Sequence, residues 1–91
     1  MAERDIEQTL TTKHGTVVRD NTPPLPGLSN ICLLSDDGAV LWFAEIPQKD
    51  DSYREDLTLV GDDAITVLSW FGWRCTVSLL DGSITQKTWE K

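Results

Sequence analysis

Histidine occurs once, at His14, and cysteine twice, at Cys32 and Cys75, with no C-x-x-C pair. Zinc sites and nucleophilic triads need several such groups held rigidly, so this inventory excludes the common forms of both. Cations are scarce as well. Eight Lys and Arg stand against 15 Asp and Glu, a formal charge of −7. Phosphate backbones and anionic lipid are bound by neutralising their charge with Lys or Arg, so neither nucleic acid nor a membrane is an expected partner. Long apolar runs are missing too: no window approaches the ~18 residues of a membrane span, and no apolar segment follows the charged Met1–Asp5. The expected location is cytoplasmic. No nucleotide or cofactor motif appears, and no cofactor is expected.

What is present is β-forming sequence. From Ala64 to Trp89, β-branched and aromatic residues crowd a stretch punctuated by Gly72 and by Asp81-Gly82, with no helical spacing of apolar positions. Trp73, Cys75, Val77 and Leu79 alternate with Arg74, Thr76 and Ser78, which predicts one buried and one wet face. Ile84–Glu90 closes the sheet as a polar edge. Upstream, Leu28–Leu34 and Ala39–Ile46 flank Ser35-Asp36-Asp37-Gly38, where Asp-Gly supplies the positive φ of a tight hairpin. Val40, Trp42, Ala44 and Ile46 fall on one side of the second strand and Ala39, Leu41, Phe43 and Glu45 on the other. Both sides are largely apolar, as a doubly covered central strand or an intermolecular contact would require.

The remaining segments are less regular. Met1–Lys13 is polar, its large apolar residues after Met1 being Ile6 and Leu10, and reads as a short edge hairpin with a frayed end, turning at Lys13-His14-Gly15, with a helix of one or two turns as the alternative that the Ile6–Leu10 spacing offers. Asp20–Gly27 holds three of the four prolines and is a stiff loop; Pro23 and Pro26 have P-x-x-P spacing, a pattern of polyproline ligands. Pro47–Asp56 reads as a hydrophilic loop with Tyr53 in its middle, followed by a short strand at Leu57–Val60. Cys32 and Cys75 lie inside predicted strands, where a thiol is usually buried and free; a disulfide would require those strands to be neighbours.

Leu33-Leu34-Ser35-Asp36-Asp37-Gly38-Ala39-Val40-Leu41-Trp42 and Ser78-Leu79-Leu80-Asp81-Gly82-Ser83-Ile84-Thr85-Gln86-Lys87-Thr88-Trp89 share an apolar strand end, an Asp-Gly turn and a tryptophan-bearing strand, the turns lying 44 positions apart. The pattern resembles the tryptophan-bearing blades of quinoprotein-type β-propellers over about a third of the chain. Trp42 follows Gly38 by four residues whereas Trp89 follows Gly82 by seven, and two blades fall short of the ~4 to 8 that close a propeller. The resemblance implies antiparallel four-stranded units; no cofactor and no site residue is carried over from it.

Together these features predict a single all-β domain over residues 1–91: an antiparallel meander of about seven short strands, curved into a half-barrel or into propeller-blade-like sheets. Four tryptophans are the least ordinary feature. Trp70, Phe71 and Trp73 flank one tight turn and Arg74 follows, so with Trp42 they are the interface candidates, Trp and Arg being the residues most enriched at binding hot spots. The expected function is a non-enzymatic interaction module that self-associates as a homodimer through a Trp-rich sheet face, its acidic turns at Asp36-Asp37, Asp50-Asp51 and Asp62-Asp63 able to meet a basic partner. These doublets lack the alternating acids of a calcium loop. The competing expectation is a ligand-binding or enzymatic domain with an aromatic-lined pocket and a carboxylate, for which Glu45 is the candidate: desolvation would raise its pKa, whereas a place at the strand end would leave it in water.

Overall fold

The computed structural model describes residues 5–23 and 27–90. Among them are eight strands and no helix: β1 (Ile6–Thr12), β2 (Gly15–Asp20), β3 (Ile31–Leu34), β4 (Val40–Phe43), β5 (Tyr53–Val60), β6 (Ala64–Ser69), β7 (Trp73–Ser78) and β8 (Ile84–Trp89). They form two separate antiparallel meanders of four strands each, in the orders β1-β2-β3-β4 and β5-β6-β7-β8. The all-β antiparallel expectation holds, with eight strands in place of about seven and no barrel closure. The repeated Asp-Gly segments are the β3–β4 and β7–β8 hairpins, Gly38 and Gly82 both having positive φ.

The sheets pack face to face. In the first, Leu10, Val17, Leu33 and Trp42 are cross-strand neighbours in one row, and all four belong to or pack on the core. In the second, Ile65, Val77 and Ile84 form one row and Val67 and Cys75 another. Alternation sends their neighbours outward, so Thr58, Thr66, Thr76 and Gln86 line up across the far side, the predicted wet face. Cys32 and Cys75 belong to different sheets, and both are buried free thiols.

Three local readings change, and the proline loop is described only in part. β1 runs as an edge strand from Ile6, paired with β2 through Thr12, so the segment predicted to fray is ordered along that length. Pro23 lies in the loop before β3, while Pro24, Leu25 and Pro26 fall outside the described residues. β4 is an edge rather than a central strand; β3 is the strand buried on both faces, with Ile31 and Leu33 on one side and Cys32 on the other. β5 begins at Tyr53, inside the segment read as a hydrophilic loop. Charged neighbours disguise Tyr53, whose side chain is fully buried.

Specific polar bonds join the sheets. The buried Asn30 amide donates to Asp20 O at 2.8 Å and to Tyr53 O at 2.7 Å, while Tyr53 N donates to Asn30 Oδ1 at 2.9 Å. Gln8 Nε2 donates to Leu57 O at 3.0 Å between β1 and β5. At the other side Trp42 Nε1 donates to Leu79 O at 3.1 Å and Glu45 N to Gly82 O at 2.8 Å. Trp42 lies against Gly82 so closely that a Cβ there would sit 2.6 Å from the indole.

Gly82→Ala therefore adds a steric clash to the backbone cost of φ +81°, whereas Gly38, at φ +88°, faces open space. Gly38→Ala is expected to lose about 1 kcal/mol of unfolding free energy and Gly82→Ala about 3 kcal/mol, measured by denaturant titration. Equal losses would mean that the Trp42 contact contributes nothing.

Candidate functional site

The β6–β7 turn, Trp70-Phe71-Gly72, is held in place by the loop that precedes β5. Asp51 is buried, and its Oδ1 accepts Ser52 N at 2.8 Å and Phe71 N at 3.2 Å. Trp70 N donates to Ser52 O at 2.9 Å. Anchored through their backbone, the side chains of Trp70 and Phe71 point away, 60% and 41% exposed. Immediately after the turn, Trp73 pairs with Trp89 across the β7–β8 ladder, and their rings meet edge to face at 4.9 Å. Trp89 is itself 48% exposed. One end of the second sheet thus carries three exposed aromatic rings.

Cations flank these rings. The Arg54 guanidinium lies 5.4 Å from the centre of the Trp70 ring and is paired with Glu55 at 2.9 Å. Lys87 Nζ lies 4.6 Å from the Trp73 ring and donates to Pro47 O at 2.9 Å, while Trp73 Nε1 donates to Gln48 Oε1 at 2.7 Å. Arg74 meets Glu90 at 3.4 Å. Of the interface candidates, Trp70, Phe71, Trp73 and Arg74 come together here, with Trp73 partly buried against the core. Trp42 does not join them, because it fills the seam between the sheets. Sequence reading passed over Trp89 and Arg54; the only sign of the former was a tryptophan at the end of an otherwise polar strand.

The alternative site is built differently from the expectation. Glu45 is exposed beyond the end of β4, and its Oε1 accepts Ile84 N at 2.9 Å. A cavity of about 290 Å³ lies beside it, bounded by Ile46, Pro47 and Ile84 to Lys87, and no aromatic ring among the described residues lines it. Among the described residues no group of three or more His, Cys, Asp or Glu could hold a metal ion, and no helix is long and apolar enough to cross a membrane. Compared with known proteins, the chain matches no family, no curated protein and no solved structure.

His14 is less solvated than its turn suggests. Its Nε2 lies 2.6 Å from Asp63 Oδ1, joining the β1–β2 turn to the β5–β6 turn, and Lys13 Nζ lies 3.5 Å from the same oxygen. The His14 hydrogen bond holds the Asp63 carboxyl below its ordinary value, with Lys13 adding to the effect. A lowered carboxyl pKa contributes stability that is present above the unfolded value and lost as pH falls through the folded one. Thermal melts across the acid range should therefore show a loss on acidification that His14→Asn makes smaller; an unchanged acid limb would remove the clasp.

Tyr53, the only tyrosine, donates its hydroxyl to Glu45 O at 2.5 Å. Burial, and next the Cys75 thiol beside it, push the phenol far above its ordinary 10.0. Burial raises the Cys75 thiol as well. Stability from the neutral phenol is complete below its unfolded pKa and declines above it. Phenolate absorbance should accordingly show no step near pH 10 while the fold persists, appearing only together with loss of the β-sheet circular dichroism signal. A separate earlier step would mean that the ring is open to solvent.

Proposed function

We propose that this chain is a small non-enzymatic protein-interaction module that docks, in the first instance onto a second copy of itself, through the aromatic end formed by Trp70, Phe71 and Trp89 over Trp73. The observation that carries the reading is the exposure of three large rings on one rigid end. Aromatic side chains on a backbone-anchored turn offer large apolar area at small cost in conformational entropy, and they dominate the binding energy of protein interfaces. Arg54 and Lys87, held against Trp70 and Trp73, supply a polar border to that area.

Trp70→Ser combined with Phe71→Ser tests the reading without touching the core, because both side chains are exposed and the turn is held by backbone N–H groups. In sedimentation velocity over a wide concentration range the parent should self-associate. The folded double variant should do so at least thirtyfold more weakly, the effect of removing one hot spot of about 2 kcal/mol. A parent that stays monomeric, or a variant that associates equally well, would count against self-docking through this end.

A further inference from the structure

The last strand of the second sheet carries backbone groups that its own ladder does not use. Glu90 N donates to Gly72 O at 2.9 Å, which makes Gly72 and Glu90 a hydrogen-bonded pair. Such pairs alternate along antiparallel strands, so the backbone of Gln86 and Thr88 faces β7 and that of Lys87 and Trp89 faces away from it. Every residue from Thr85 to Glu90 is exposed. No turn or loop hydrogen bond among the described residues takes up the outward backbone groups of Lys87 and Trp89. We propose that this edge of β8 is the docking surface for β8 of a second copy, the two strands pairing antiparallel about a twofold axis at Thr88. The inference deepens the self-association reading and rests on it for the identity of the partner alone.

Three observations support the pairing. First, the other edges are shielded. A register shift at Leu33/Leu34 interrupts the pairing of β4, and just beyond that strand Glu45 N is taken by Gly82 O. β1 is shifted between Ile6 and Gln8, β5 is broken by two shifts, and Gln8 caps Leu57 O of β5. From Gln86 to Trp89, by contrast, β8 is regular, and the cavity of about 290 Å³ between Ile84–Lys87 and the segment 45–47 keeps that segment clear of its edge. Second, a lysine on an edge strand ordinarily repels an incoming strand, but Lys87 is turned back on its own chain. Its Nζ donates to Pro47 O at 2.9 Å and lies 4.6 Å from the Trp73 ring. Third, one register matches both outward residues with outward residues of the other copy. With the two Thr88 residues opposite each other, Lys87 exchanges backbone hydrogen bonds with the partner's Trp89, and Trp89 with the partner's Lys87. Lys87 and Trp89 share a face of the sheet, so each ammonium also meets a ring that is 48% exposed in the single chain. An axis at Lys87 would instead set two ammonium groups opposite each other and bring Trp89 to Thr85, beside the register shift of β8. An edge that complements itself under twofold rotation fits a second copy of the same strand.

Thr88→Cys tests the register, because opposite residues of a non-hydrogen-bonded pair lie within reach of a disulfide, whereas Gln86→Cys would sit about 13 Å along the strand from its counterpart. Cys32 and Cys75 are buried and do not compete. In a glutathione redox buffer, followed on non-reducing gels, Thr88→Cys should form linked dimer about tenfold faster than Gln86→Cys. Lys87→Pro removes an outward N–H and no bond to β7, a change an edge strand tolerates. In sedimentation velocity it should dimerise about thirtyfold more weakly than Lys87→Gln, one backbone hydrogen bond being lost from each half of the symmetric pairing. Equal capture of the two cysteines, or equal dimerisation of the two Lys87 variants, overturns the strand pairing. The Trp70→Ser, Phe71→Ser double variant separates the two readings. A dimer that it retains and that Thr88→Cys captures upholds the pairing and ends docking through the turn; a dimer that it loses and that Thr88→Cys does not capture does the reverse.

Discussion

In the amide of Asn30 a side chain acts as a peptide group. It gives a hydrogen to Tyr53 O and takes one from Tyr53 N, as a neighbouring strand would, while also bonding Asp20 O on its own sheet. The strand ladders run only within each meander, so nothing in them fixes how one sheet sits on the other. Apolar packing alone would allow the sheets to slide, because hydrophobic contact is non-directional. The Asn30 pair is directional and dry. A shift of the sheets would strand buried polar groups, each costing about 1–3 kcal/mol, and the first residue of β5 is therefore fixed relative to the start of β3. From Tyr53 the constraint runs on through its hydroxyl to Glu45 O and through the adjacent Ser52 and Asp51 to the Trp70-Phe71 turn.

The distribution of aromatic residues follows from the size of the space between the sheets. That space is filled by Val17, Ile31, Leu33, Ile65, Val67, Val77 and the single phenol of Tyr53. Trp42 is admitted at the seam only because position 82 has no Cβ. The other three tryptophans lie at or near the end of the second sheet, where the first sheet does not cover them fully. Wide aromatic area outside the core, on an acidic chain whose far β-face is a row of threonines, concentrates adhesive surface at one end.

Much of the architecture could be read from local sequence, and for identifiable reasons. The Asp37-Gly38 and Asp81-Gly82 turns require positive φ, and the alternation from Trp73 to Leu79 separates a core face from a wet one. Those signals act over a few residues. Tyr53 escaped because its neighbours Asp50, Asp51, Arg54 and Glu55 are charged, and the average character of the segment concealed one buried ring. Glu45 could be read two ways, desolvated among apolar neighbours or in water at the strand end, and the second holds because β4 is an edge strand and Glu45 lies beyond its end. Asn30 gave no signal, and Asp51 only that of an acidic turn doublet, which its burial does not fit; an asparagine or aspartate in a loop is ordinary until its partners are known.

Sequence by itself determined that the chain is an acidic antiparallel β protein, where its hairpins turn, and which side of β6 and β7 is apolar, because backbone sterics and period-two alternation are properties of adjacent residues. Only the tertiary structure decided that the strands divide into two sheets of four, that Trp42 leaves the other tryptophans to fill a seam, that Trp89 joins Trp73, and that Asp51 sits buried behind the aromatic turn. Those outcomes depend on pairs up to tens of residues apart, such as Asn30 with Tyr53 and Trp42 with Gly82, whose fit is a matter of shape and unsatisfied hydrogen bonds in three dimensions.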